Sequence, residues 1–208
     1  MEEKKISEQE SLELITQMIN QTKKDLSVGN GDSFLMWGYL SAAISLAVIV
    51  MLLATNDPRY AWLYMVIPIA GFTVSGIKTY KAKRKSHVAS TYASNTINNV
   101  WAIISAVFAV YAISCLLHFG EVRSWNGMFL LGMLLPGIGT YTTGVILKEK
   151  SIQMCGLLGV VIGTGLLRDF VCGEQVISIM QMGQMVLSFV ITLIIPGHIL
   201  NFKAKKQQ

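Results

Sequence analysis

The sequence predicts an all-α protein, a polytopic bundle of membrane helices. Three observations carry that prediction. Of the 208 residues, 52% are hydrophobic and only 14% are charged, against about 25% charged in an average soluble domain. The mean hydropathy is +0.51, which excludes a disordered chain as well. The apolar stretches are also long and continuous. The strands of a membrane barrel would instead alternate apolar and polar residues over about ten positions. Inside lipid every backbone N–H and C=O needs an internal partner, and a helix supplies it within its own segment.

The first element is expected outside the membrane. Residues 7–26, SEQESLELITQMINQTKKDL, read as an amphipathic helix. Ser7 and Glu10 form a capping box at its start. Leu12, Ile15 and Ile19 recur on one face, widened by Leu14 and Met18. Lys23 and Lys24 suit the negative end of the helix dipole, and Gly29, Asn30 and Gly31 stop it. The polar face is acidic, with six acids against four lysines in residues 1–26. A helix that lies on an anionic leaflet is basic there, so the apolar stripe is expected to meet protein. That protein is the bundle itself, a second copy or a cytoplasmic partner, and Leu12, Ile15 and Ile19 are the candidate partner-binding residues.

Six apolar spans follow, at 33–54, 60–77, 97–118, 126–147, 152–167 and 176–200. They divide the chain into a cytoplasmic segment 1–31, a transmembrane domain 32–201 and a basic tail 202–208. A helix needs about 20 apolar residues to cross a hydrocarbon core of roughly 30 Å. The fifth span, with 16, is the shortest. No cleavable signal is expected, because polar residues mixed in charge precede the first span.

Orientation follows from the basic residues. Fourteen Lys and Arg fall in the N-terminal segment, in the loops after spans two and four, and in the tail; three (Arg59, Arg123 and Arg168) fall on the other side. Positive loops mark the cytoplasmic face, so both termini are expected on the cytoplasmic side of a bacterial inner membrane. The same placement explains the net charge of +5 without nucleic acid, and membrane lipid is the expected surrounding. The stretches 78–85 and 203–206 are positioned to touch anionic headgroups.

The spans pair into three hairpins of one orientation, and an internal repeat runs through them. Even-numbered spans share a proline followed closely by glycine: IPIAGFTVSGIK, LPGIGTYTTGVILK and IPGHILNFK. Trp37, Ser41 and Ala42 of span one match Trp101, Ser105 and Ala106 of span three at an offset of 64. Pro68, Pro136 and Pro196 are expected to kink their helices and to frame a cytoplasm-facing space. Small residues permit close helix packing in lipid. They include Gly38, Ala42 and the pair Gly159 and Gly163, whose partner is either the same chain or a second copy.

Chemistry is sparse. No Asp, Glu, Lys or Arg lies inside a span, which argues against a proton-coupled pump. No nucleotide, zinc or serine-hydrolase motif appears. Cys115, Cys155 and Cys172 form neither a disulfide framework nor a CxxC. His118 and His198 have no ligand at helical spacing and read as interfacial residues. No catalytic site, metal or other cofactor is expected. Gln181 and Gln184 are the most polar pair within a span and share a face. They either bond between helices or line a polar pocket.

The order of parts, with SEQESLELITQMINQTKKDL, a glycine break and MWGYLSAAISL opening six short-looped spans, resembles small uncharacterised six-span proteins of bacterial inner membranes. That resemblance implies a location and no activity. Span count, with Ala43 and Ala47, is also similar to the substrate-binding subunits of bacterial vitamin-uptake transporters. Two functions are therefore expected to compete: a non-enzymatic scaffold or sensor-like protein that presents its N-terminal helix, and a small-solute transport or substrate-binding component.

Overall fold

A computed structural model describes residues 30–85, 92–117, 126–171 and 178–206, with Gln9, Leu12, Glu13 and Thr16 described singly in the N-terminal segment. Ser7, Glu10, Ile15 and Ile19 lie outside the described residues, as do His118, Arg123 and Cys172. Gln9, Leu12, Glu13 and Thr16 are helical. Thr16 donates its hydroxyl to the Leu12 carbonyl at 2.8 Å, and the Leu12 side chain is 64% exposed.

Among the described residues the chain is all-helical. Helix α1 is Asn30–Thr55; a 3₁₀ helix, Pro58–Met65, leads into α2, Val66–Lys85. Next come α3 (Tyr92–Leu117), α4 (Asn126–Ile146), α5 (Lys150–Val171) and α6 (Ile179–Phe189). Five π-helical residues, Val190–Ile194, join α6 to α7, Ile195–Lys206. Among the described residues five segments are long and apolar enough to cross a membrane: Gly31–Thr55, Tyr92–Leu117, Gly127–Ile146, Lys150–Arg168 and Ile179–Lys206.

Two segments differ in length from the sequence expectation. The fifth span is not short, because α5 runs on through polar Lys150, Ser151 and Arg168 that hydropathy trims away. The short apolar helix is in the second span, Trp62–Lys78. Asp57 opens it by accepting the Arg59 backbone N–H at 2.9 Å, with Pro58 at the first helical position. The Asp57 carboxylate thus serves as a helix cap.

Burial is inverted relative to a soluble protein. Ser45, Thr140, Thr143, Ser188 and Thr192 are 0–1% exposed, whereas Val50, Ile69, Ile103, Val110 and Val161 are all above 60%. A solvent that rewards exposed valine and isoleucine is hydrocarbon, and polar groups retreat to the interior where partners exist.

The tightest pairing is α4 against α5. Glycines make it. A methyl on Gly156 would overlap the backbone of Tyr141, one on Gly137 would reach the Val160 nitrogen at 2.9 Å, and one on Gly163 would strike Leu134 at 2.6 Å. Gly159 and Gly163 are therefore used within the chain. At the end of α4, Lys148 adopts φ 56°, and the Glu149 N–H closes back on the Gly144 carbonyl at 2.8 Å. A left-handed residue with that bond is a helix stop usually made by glycine.

Helix α1 packs antiparallel on the last segment. A methyl on Gly38 would meet Ile194 at 2.8 Å, and one on Gly197 would meet Leu35 at 2.8 Å. Asn201 donates to Asp32 at 2.8 Å, and Lys203 pairs with Glu149. The start of α1, the α4–α5 turn and the end of α7 thus share one end of the bundle.

Candidate functional site

The interior polar groups are the candidates, since lipid offers them nothing. They come from α1 (Ser41, Ser45), α4 (Thr140, Thr143), α6 (Gln181, Ser188) and the π segment (Thr192). Their geometry centres on Pro196. In an α-helix the Thr192 carbonyl would accept from the N–H of residue 196, and proline has none. Thr140 fills that role from α4, donating its hydroxyl to the Thr192 carbonyl at 2.7 Å. The Thr192 hydroxyl donates to the Ser188 carbonyl at 2.7 Å, and its methyl occupies the notch left by Gly159. One threonine so fastens α4, α5 and the α6–α7 segment together.

A second polar contact joins α3 to α4. The Trp101 indole N–H donates to the Thr143 hydroxyl at 3.2 Å, and Thr143 donates to the Gly139 carbonyl at 2.7 Å. The Trp101 ring lies 3.2 Å from where a methyl on Gly139 would stand. Trp37 does the same in the first hairpin, covering Gly71 of α2 with Phe72 edge-on at 5.5 Å. Gly71 and Gly139 each stand three residues after a proline, Pro68 and Pro136. The first two hairpins thus share a tryptophan-on-glycine latch. Position 199, three after Pro196, is isoleucine, and that segment packs on α1 instead.

The three prolines therefore have three local settings. Pro68 is in the first turn of α2, Pro136 lies inside α4, and Pro196 follows the π segment. Gln181 is buried and caps its own helix: its side-chain oxygen accepts from the Ser178 N–H at 2.8 Å, and the Ser178 hydroxyl accepts from the Gln181 N–H at 3.3 Å. Gln184 is half-buried one turn further on. His198 shares a hydrogen bond with the Tyr39 hydroxyl at 2.8 Å, which ties it to α1.

Three buried hydroxyls, of Ser45, Tyr64 and Ser188, make no hydrogen bond of ordinary geometry among the described residues, and the first two lie close enough to interact with each other. Tyr64 lies beside Ser45 and stands edge-on to Phe129 at 5.0 Å, so α1, the 3₁₀ helix and α4 meet there. Sequence reading missed this cluster and the Thr140–Thr192 bond. The second left a trace: a proline within a helix leaves the carbonyl four residues before it without its helical donor. No family model matches the chain, and no curated protein or solved structure compared with it is similar.

Proposed function

We propose that the protein is an integral protein of a bacterial inner membrane, crossing it six times with both termini in the cytoplasm. It acts as a non-enzymatic scaffold or sensor-like protein that presents its N-terminal helix to a cytoplasmic partner. The sixth crossing is the second span. A 3₁₀ helix rises about 2.0 Å per residue and an α-helix about 1.5 Å. Eight 3₁₀ residues followed by the apolar residues 66–77 reach about 34 Å, enough for a core of roughly 30 Å. The pairs Asp32–Asn201 and Glu149–Lys203 gather the start of α1, the α4–α5 turn and α7 at the lysine-rich end, which supports the cytoplasmic assignment. The observation that carries the partner reading is Leu12, an apolar side chain on a helix and 64% exposed.

The test is purification of the tagged full chain from gently solubilised membranes, with and without Leu12, Ile15 and Ile19 changed to Glu. A protein that co-purifies with the unmodified chain and is lost in the variant, with insertion unchanged, supports the reading. Absence of any co-purifying protein, or its retention in the variant, overturns it. A second reading, binding of a small neutral solute, is favoured by the buried hydroxyls of Ser45 and Tyr64, side by side in the interior. Its measure is solute-induced thermal stabilisation in detergent that disappears in Ser45→Ala/Tyr64→Phe. A solute panel that gives no stabilisation refutes it.

A further inference from the structure

The repeat places two equivalent helix faces in different surroundings. On α1 the stripe Gly31, Leu35, Gly38, Ala42 and Ser45 faces the interior. All but half-buried Leu35 are buried, and the π segment and α7 lie against its first three positions. At the offset of 64 that aligns Trp37 with Trp101, the same stripe on α3 is Asn95, Asn99, Ala102, Ala106 and Ala109. Every one of these five is exposed. The opposite face of α3, with buried Ile97 and Ile104 and with Trp101, is turned inward, to Thr143 and Gly139 of α4 and to Phe34 of α1, edge-on to Trp101 at 5.2 Å. One copy of the repeat receives a helix on this stripe, and the other presents it uncovered.

We propose that the α3 stripe is the contact face between two copies of this chain, packed about a two-fold axis along the membrane normal. Such an axis sets two α3 helices parallel, so each stripe residue meets its own counterpart. The residues suit that arrangement. Alanine at 102, 106 and 109 lets two backbones approach closely, the usual packing device in lipid. Asn95 and Asn99 replace Gly31 and Leu35 of the covered stripe. An amide carries a donor and an acceptor and is complementary to itself. Asn95 stands just before the apolar span 97–118 and Asn99 in its first turn, so a same-level amide on a parallel helix pairs both ends of each at the rim of the membrane. The α6–α7 segment of the second copy is already seated on its own α1, which leaves α3 as the matching surface. The contact is distinct from the N-terminal helix and does not depend on the partner reading above.

The experiment is disulfide cross-linking in native membranes of the full chain, with Cys115, Cys155 and Cys172 changed to Ser. Single cysteines replace Ala102, Ala106 or Ala109 on the stripe, and Val110 or Ile103 beside it. Copper phenanthroline is expected to yield a band at twice the monomer mass for the stripe positions, with at most weak cross-linking at the flanking ones. Asn99→Leu with all native cysteines present is expected to weaken dimerisation in detergent about tenfold by native mass spectrometry, with the thermal midpoint of the dissociated monomer unchanged. Equal cross-linking on and off the stripe overturns the proposal. So does no cross-linking at any stripe position, or a product of another mass that identifies a different protein.

Discussion

The bond from Thr140 to the Thr192 carbonyl gives the sharpest prediction. Thr140→Val keeps the shape of the side chain and removes one donor. Both residues are fully buried and the bond is 2.7 Å long, so the carbonyl left behind has no water to turn to. An unpaired buried acceptor costs about 1–3 kcal/mol in soluble proteins; hydrogen bonds between membrane helices average about 0.6 and reach about 1.7 kcal/mol. Because Pro196 removes the alternative donor, the expected loss is near the upper membrane value, about 1.5 kcal/mol. Thr142→Val, which removes only a bond to its own helix at Ile138, is expected to stay within about 0.5 kcal/mol. Equilibrium unfolding in mixed micelles by SDS titration measures both. The decisive arm is a double-mutant cycle with Pro196→Ala, which supplies an N–H that an α-helical register would hand to the Thr192 carbonyl. In that background Thr140→Val should lose most of its effect, a coupling of about 1 kcal/mol. An equal cost in both backgrounds would refute the reasoning that the threonine replaces the proline's missing donor.

Gly156→Ala forces a methyl into the Tyr141 backbone and is expected to cost more than about 3 kcal/mol; Gly165→Ala, with open space around it, should be neutral or stabilise by up to about 1 kcal/mol, measured in the same titration. Lys148→Gly, at φ 56°, should raise the thermal midpoint, corresponding to about 1 kcal/mol of relieved backbone strain. Ser178→Ala removes half of the α6 capping box and should cost about 1 kcal/mol, while Gln184→Ala, at a half-buried position outside the cap, costs less.

The helical class and most helix positions were legible because hydropathy reports the solvent directly, and the solvent dominates a membrane fold. The tryptophan repeat was also legible, since Trp37 and Trp101 are rare residues in matched settings. Helix length was less so: α5 keeps its hydrogen bonds through Lys150 and Arg168, which a polarity count discards. The second span was read as uniform because nothing in its composition distinguishes 3₁₀ from α winding. The interior was read least well. Gln181 and Gln184 stood out by polarity, yet Gln181 caps a helix start that the sequence placed a few residues early. The threonines were overlooked because a single hydroxyl adds little to hydropathy, and its worth depends on a proline in another helix, here 56 residues away from Thr140.

The contact between α1 and α7 also bears on how the chain assembles. Helix α1 is completed by α7, more than 130 residues later in the chain, whereas each tryptophan closes on a helix made directly after its own. Two hairpins can thus fasten early and locally, while the glycine-lined flank of α1 stays open until synthesis reaches Ile195. A nascent chain released before that point would carry a vacant groove, and quality-control proteases of the membrane would find it there.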